Sequence, residues 1–113
     1  MIAWIVTDME HVERGDSLLL QDRYAEAVAE YQQSTEPEAQ AHLSLCYIYL
    51  GNAAEARKTL EAALSLAPSH PSLLFTKGKL LFYSQDFAAA KEVFASLGEV
   101  GASWVRKCEL QSS

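Results

Sequence analysis

The chain has 113 residues, half of them hydrophobic and about a fifth charged, with a formal net charge of −6 at pH 7. That length suits one domain or a short repeat array with a real core. The acidic balance argues against nucleic acid as a main partner, since phosphate binding needs clustered Lys and Arg, and no apolar run of about 18 residues offers a membrane span.

Ala and Leu abound while β-branched residues are few, a composition that favours helix. The opening MIAWIV is too short for a signal-peptide core and has no basic residues before it, so a cytoplasmic location is expected. Cys46 and Cys108 sit inside helical patterns and fit buried, reduced thiols better than a disulfide framework.

In chain order, Ile2, Ile5, Val6, Met9, Val12, Leu19 and Leu20 recur at mostly helical spacing. Thr7-Asp8-Met9-Glu10 has the form of a capping box, which starts the first helix at Asp8 with Trp4 outside it. The alternative is one helix from residue 2 onward, and the pattern leaves both open. Gln21-Asp22-Arg23 makes a turn, and a partner helix over 24–33 turns Tyr24, Ala27, Val28 and Tyr31 inward. At the next boundary Thr35 stands three residues before Glu38, as a second capping pair, and Pro37 suits a first helical turn.

The stretch 41–68 is the most regular part of the chain. Leu43, Leu45, Cys46, Tyr47, Ile48 and Leu50 lead to Gly51-Asn52; then Ala53, Ala56, Leu60, Ala63, Leu64 and Leu66 form a second stripe that Pro68 ends. Pro68-Ser69-His70-Pro71 stops and restarts the chain. A fifth helix over 72–84 holds Gly78 at its middle, where Gly costs about 1 kcal/mol relative to Ala and so predicts close contact with a neighbouring helix. Gln85-Asp86 turns the chain into a sixth helix over 87–97, the segment from Gly98 to Gly101 breaks it, and a short helix over 102–110 follows. Its Trp104, Val105 and Cys108 are expected inward, and Arg106, Lys107 and Glu109 outward.

Three helix pairs overlay. Gly15, Ser44 and Gly78 are the small residues of the first helices; Leu18, Tyr47 and Leu81 follow three positions later. Tyr24, Ala53 and Phe87 open the second helices, then come Ala27, Ala56 and Ala90, and four residues on Tyr31, Leu60 and Phe94. The pattern resembles the tetratricopeptide repeat, a helix–turn–helix of about 34 residues with small, Tyr, Ala, Phe and Pro residues at such spacings. The match is best in the middle unit; the first lacks the closing Pro, and the third lacks both the turn Gly and the closing Pro. The resemblance implies an all-α fold: a right-handed α-solenoid of three helix pairs (about 8–36, 37–70 and 71–101) with a capping helix at about 102–111. The whole chain, 1–113, would then be one domain.

The family resemblance further implies a concave surface, lined by the first helix of each pair, that holds a peptide. Carried over by position, the candidate partner-binding residues are Val12, Asp16, His42, Leu45, Tyr49, Phe75, Lys79 and Tyr83. Leu45, Tyr49, Phe75 and Tyr83 have a second reading, as packing between helices or against the cap. The family's carboxylate clamp for acidic chaperone tails needs Lys, Arg and Asn where this chain has Val12, Asp16, His42, Ser72 and Thr76. An apolar or basic segment is therefore the expected ligand, and an acidic chaperone tail is not.

Ala90-Lys91 followed by Trp104-Val105-Arg106-Lys107-Cys108-Glu109 is similar to the close of the repeat domain in cochaperone adaptors of the suppressor-of-skp type. Those adaptors carry a CS domain downstream, so the chain would correspond to their N-terminal domain. No catalytic constellation is expected: His11, His42 and His70 lack metal-ligand spacing with either Cys, and neither a nucleophile elbow nor a phosphate loop occurs. Glu10, Glu13, Asp16, Glu26 and Glu30 read as a solvated helix face. The expectation is a non-catalytic adaptor or cochaperone-type scaffold without cofactor or metal. The alternative is a self-association domain that forms a homodimer through the patch at residues 2–6 or through exposed aromatics.

Overall fold

The computed structural model describes residues 7–112. They form α1 (Asp8–Leu20), α2 (Tyr24–Tyr31), α3 (Pro37–Tyr49), α4 (Ala53–Leu66), α5 (Pro71–Tyr83), α6 (Phe87–Ala95), a 3-10 turn (Gly98–Gly101) and α7 (Ala102–Ser112). Each odd helix from α1 to α5 pairs with the next as an antiparallel hairpin, the hairpins stack side by side, and α7 covers α6.

Each pair closes by the same local chemistry. The turn residues Asp22, Gly51 and Gln85 all have positive φ, at 58°, 79° and 67°. In each turn the following residue donates its N–H back five positions: Arg23 to the Leu18 carbonyl at 2.9 Å, Asn52 to Tyr47 at 2.8 Å and Asp86 to Leu81 at 2.9 Å. This is the Schellman closure, which Gly supports best, yet only the middle turn carries Gly. Asn52 and Asp86 then cap the second helices, accepting from the N–H of Glu55 at 3.2 Å and of Ala89 at 3.3 Å. Arg23 has no side-chain cap, and its guanidinium instead binds Glu26.

Packing follows the overlay of small and large residues. Ala27, Ala56 and Ala90 are fully buried, as are Tyr31, Leu60 and Phe94 to within 2% exposure. A β-carbon at Gly15 would come within 2.5 Å of the Tyr31 ring, and one at Gly78 within 2.6 Å of the Phe94 ring. In the middle pair the same repeat positions hold Ser44 and the smaller Leu60, and the Ser44 hydroxyl returns to the Gln40 carbonyl at 3.0 Å. The core thus runs as three clusters that bridge neighbouring units: α1 and α2 with α3, α3 and α4 with α5, and α6 with α7, where Cys108 closes the last.

Several expectations change. Thr7 caps α1 through its hydroxyl, so the first helix begins at Asp8. Thr35 does not cap α3; it donates to the Asp8 carboxylate at 3.0 Å and ties the α2–α3 connection to the start of α1. Leu20 and Leu66 belong to no stripe, being 87% and 89% exposed as the last residues of α1 and α4. The acidic face is only partly solvated, since Glu30 meets His11 at 2.8 Å and Asp16 accepts from the Tyr31 hydroxyl at 2.5 Å. The patch at residues 2–6 lies outside the described residues.

Candidate groove across the three first helices

On the face formed by the first helices of the pairs, a cleft of about 300 Å³ lies between α3 and α5. Ala41, His42 and Leu45 line one wall and Phe75, Thr76 and Lys79 the other, with Val100 of the 3-10 turn at one end. Ala41 is 1% exposed, and this small buried residue lets the two helices approach closely enough to make the floor. At the rim Glu38 accepts from the Ser72 hydroxyl at 2.8 Å, joining the two helices near their starts.

On the α1 side the groove carries a polar cluster. Asp16 Oδ1 accepts from the fully buried Tyr31 hydroxyl and lies 3.1 Å from His42 Nδ1, while the Tyr31 and His42 rings stand 5.6 Å apart. Burial and the Asp16 carboxylate both push the Tyr31 hydroxyl far above its ordinary range, so it is a permanent donor. The imidazole of His42 is thereby oriented from behind as it lines the cleft.

On the α5 side the cap enters. Trp104 of α7 stacks on Phe94 at 5.2 Å and meets Phe82 and Phe75 edge-on at 5.2 and 6.2 Å. The Lys79 ammonium sits 5.2 Å from the Phe75 ring centre and 5.4 Å from that of Trp104. Lys107 stands 4.1 Å over Trp104. Burial first, and then the nearby Lys107 charge, hold the Lys79 pKa below its ordinary value.

At the far edge Tyr49 and Tyr83, 42% and 51% exposed, border a shallow depression with Ile48, and Tyr24 packs 5.1 Å from Tyr49. The eight predicted positions thus divide. His42, Leu45, Phe75 and Lys79 converge on the cleft, Asp16 stands behind His42, and Tyr49 with Tyr83 form a separate edge. Val12 is 7% exposed and packs with Ala27, Tyr31 and Leu43, so it is core and does not face the groove. Val100 escaped the sequence reading as a cleft residue, because it comes from the turn after the three-pair pattern; Trp104, expected inward on the cap, packs beneath Phe75 and Lys79.

Among the described residues, no group of three His, Cys, Asp or Glu side chains could hold a metal ion. No helix there is long and apolar enough to cross a membrane.

Residues 37–70 match the family described as tetratricopeptide repeat. No curated protein sequence matches the chain significantly. Among solved structures, the first TPR of Spaghetti (RPAP3) bound to the HSP90 peptide SRMEEVD superposes with a TM-score of 0.77 at 19% identity, over 91% of this chain and 90% of that one. The Sgt2 TPR domain from Aspergillus fumigatus gives 0.80 at 15% identity, over 92% of this chain and 78% of that one. The middle hairpin is a tetratricopeptide repeat, and the chain has the fold of a tetratricopeptide repeat domain.

Proposed function

We propose that this chain of tetratricopeptide fold is a non-catalytic interaction module, an adaptor or cochaperone-type scaffold that takes a partner segment in its concave groove. One observation carries the reading. The cleft between α3 and α5 is lined by Leu45, Phe75 and Lys79, residues only partly covered at positions that the small–large packing of the pairs leaves free. The Spaghetti domain, alike in fold, is bound to a peptide; that supports a peptide as the class of ligand and leaves its chemistry to this chain's own residues.

Those residues do not make a carboxylate clamp. Val12 is core, Asp16 brings a negative charge, and Thr76 is 4% exposed with its hydroxyl turned to the Ser72 carbonyl at 3.0 Å. An acidic tail would meet Glu13, Asp16 and Glu38 along the α1 and α3 side. The groove suits a segment with apolar contacts and, on that side, basic ones.

The test is capture of partner protein by the unaltered chain and by Leu45→Arg. Loss of capture with helical content intact is expected, and undiminished capture would overturn the groove reading. In calorimetry the peptide SRMEEVD should bind more weakly than about 1 mM, whereas micromolar affinity would contradict the absence of a clamp. A self-association reading draws on exposed Leu20, Tyr49, Leu50 and Tyr83. A dimer in light scattering that persists in Leu45→Arg, with no peptide bound by either chain, would favour it.

A further inference from the structure

Directly after the small residues Gly15, Ser44 and Gly78 come Asp16, Leu45 and Lys79, one to each groove helix at the same place in the repeat. This row across the three first helices starts with an acid, passes an apolar residue and ends with a base.

The two charged ends are both incompletely matched. Asp16 uses Oδ1 for Tyr31 and His42, while Oδ2 has no hydrogen-bond partner among the described residues and the side chain is 45% exposed. At the other end the ammonium groups of Lys79 and Lys107 lie over the Trp104 ring. Neither forms an ion pair among the described residues, although the chain carries a net charge of −6. Cation–π contact orients an ammonium and contributes about 0.5–2 kcal/mol, but it leaves the charge unneutralised. Two like charges around one ring at the end of a groove are the electrostatic complement of a carboxylate.

We propose that the groove is electrically polar and holds an extended partner segment in one direction. In that direction a basic residue lies on Asp16, an apolar residue on Leu45 and an acidic residue on Lys79 and Lys107. The proposal rests on the groove reading above and names the ligand within it. Packed helices lie about 8–10 Å apart, so the row spans about 16–20 Å. At about 3.3 Å per residue, the basic and acidic residues of an extended segment fall five or six positions apart.

The experiment is selection of random twelve-residue peptides on the folded chain, with counter-selection on Leu45→Arg. Peptides lost on Leu45→Arg are groove binders, and among them the basic–apolar–acidic arrangement at five or six positions should be enriched over the unselected library. Replacing the peptide's acidic residue by Gln should weaken binding about tenfold to the unaltered chain, and change binding to Lys79→Gln by less than about twofold. Lys107→Gln, at an exposed site, gives a second variant that leaves the Phe75 and Phe94 packing alone. If no peptide is lost on Leu45→Arg, the groove reading itself falls. Groove binders without the charge pair, or with it spaced about 11–13 positions apart as on a helix, would overturn this inference and leave the groove reading standing.

Discussion

Gly78 lies so close to Phe94 that a β-carbon there would stand 2.6 Å from the ring's Cζ. The pair sets the distance between α5 and α6, and the equivalent pair, Gly15 with Tyr31, does the same for α1 and α2. Where the middle unit has Ser44, the repeat position of Tyr31 and Phe94 holds the smaller Leu60. Small and large residues are matched within each pair, not merely conforming to a pattern one by one.

Gly78→Ala should therefore destabilise the chain despite its better helix propensity. The propensity gain is about 1 kcal/mol, and overpacking against a ring costs about 1–3 kcal/mol. A net loss of up to about 2 kcal/mol is expected in urea unfolding. With Phe94→Leu already in place, which reproduces the Ser44–Leu60 arrangement, the same substitution should become neutral or stabilising. Equal effects in both backgrounds would show that the contact does not control the spacing.

The turns make a second case. Gln85 holds the left-handed conformation that Gly51 adopts without strain. Gln85→Gly should stabilise by about 1 kcal/mol through relief of that conformation. Arg23 occupies the capping position used by Asn52 and Asp86 but provides no acceptor. Arg23→Asn should add about 0.5–1 kcal/mol, because the exposed Arg23–Glu26 pair it removes is worth less than a cap. A fall in the unfolding midpoint for either variant would contradict the account of the turns.

The buried thiols report on opening of the repeats. Cys46 is fully covered, and burial pushes its pKa from 9.0 up to about 11. The folded state thus favours the neutral thiol. Stability from this group is complete below the unfolded value near 9 and is lost as pH rises through the folded value near 11. At pH 8 a thiol reagent should modify Cys46 and Cys108 only as the chain opens, with rates that rise in denaturant. Prompt modification of Cys46 under native conditions would be incompatible with its burial.

Much of the fold was legible in residue order. The periods of Leu and Ala, the turns and prolines, and the threefold recurrence of the small residue, Ala and large residue identify helix pairs, because each hairpin must solve the same packing problem. The same repetition put His42, Leu45, Phe75 and Lys79 on one face by register, and these four line one cleft. Register failed where a residue's surroundings come from another part of the chain. Val12 shares its repeat position with Phe75, which is partly exposed and lines the cleft, yet Val12 is buried in the core with Ala39 and Leu43, and only the second pair's position decides that.

The sequence by itself determined the helical pairs, their stacking order and the face left free, since local propensity and a repeated stripe specify those without long-range information. Tertiary structure decided the chemistry of that face. It carried Trp104 from the cap against Phe75, placed Lys79 and Lys107 over its ring, and tied Asp16 to both Tyr31 and His42. A side chain's charge state, partners and exposure depend on atoms that reach it from other helices, and no spacing along one helix encodes them.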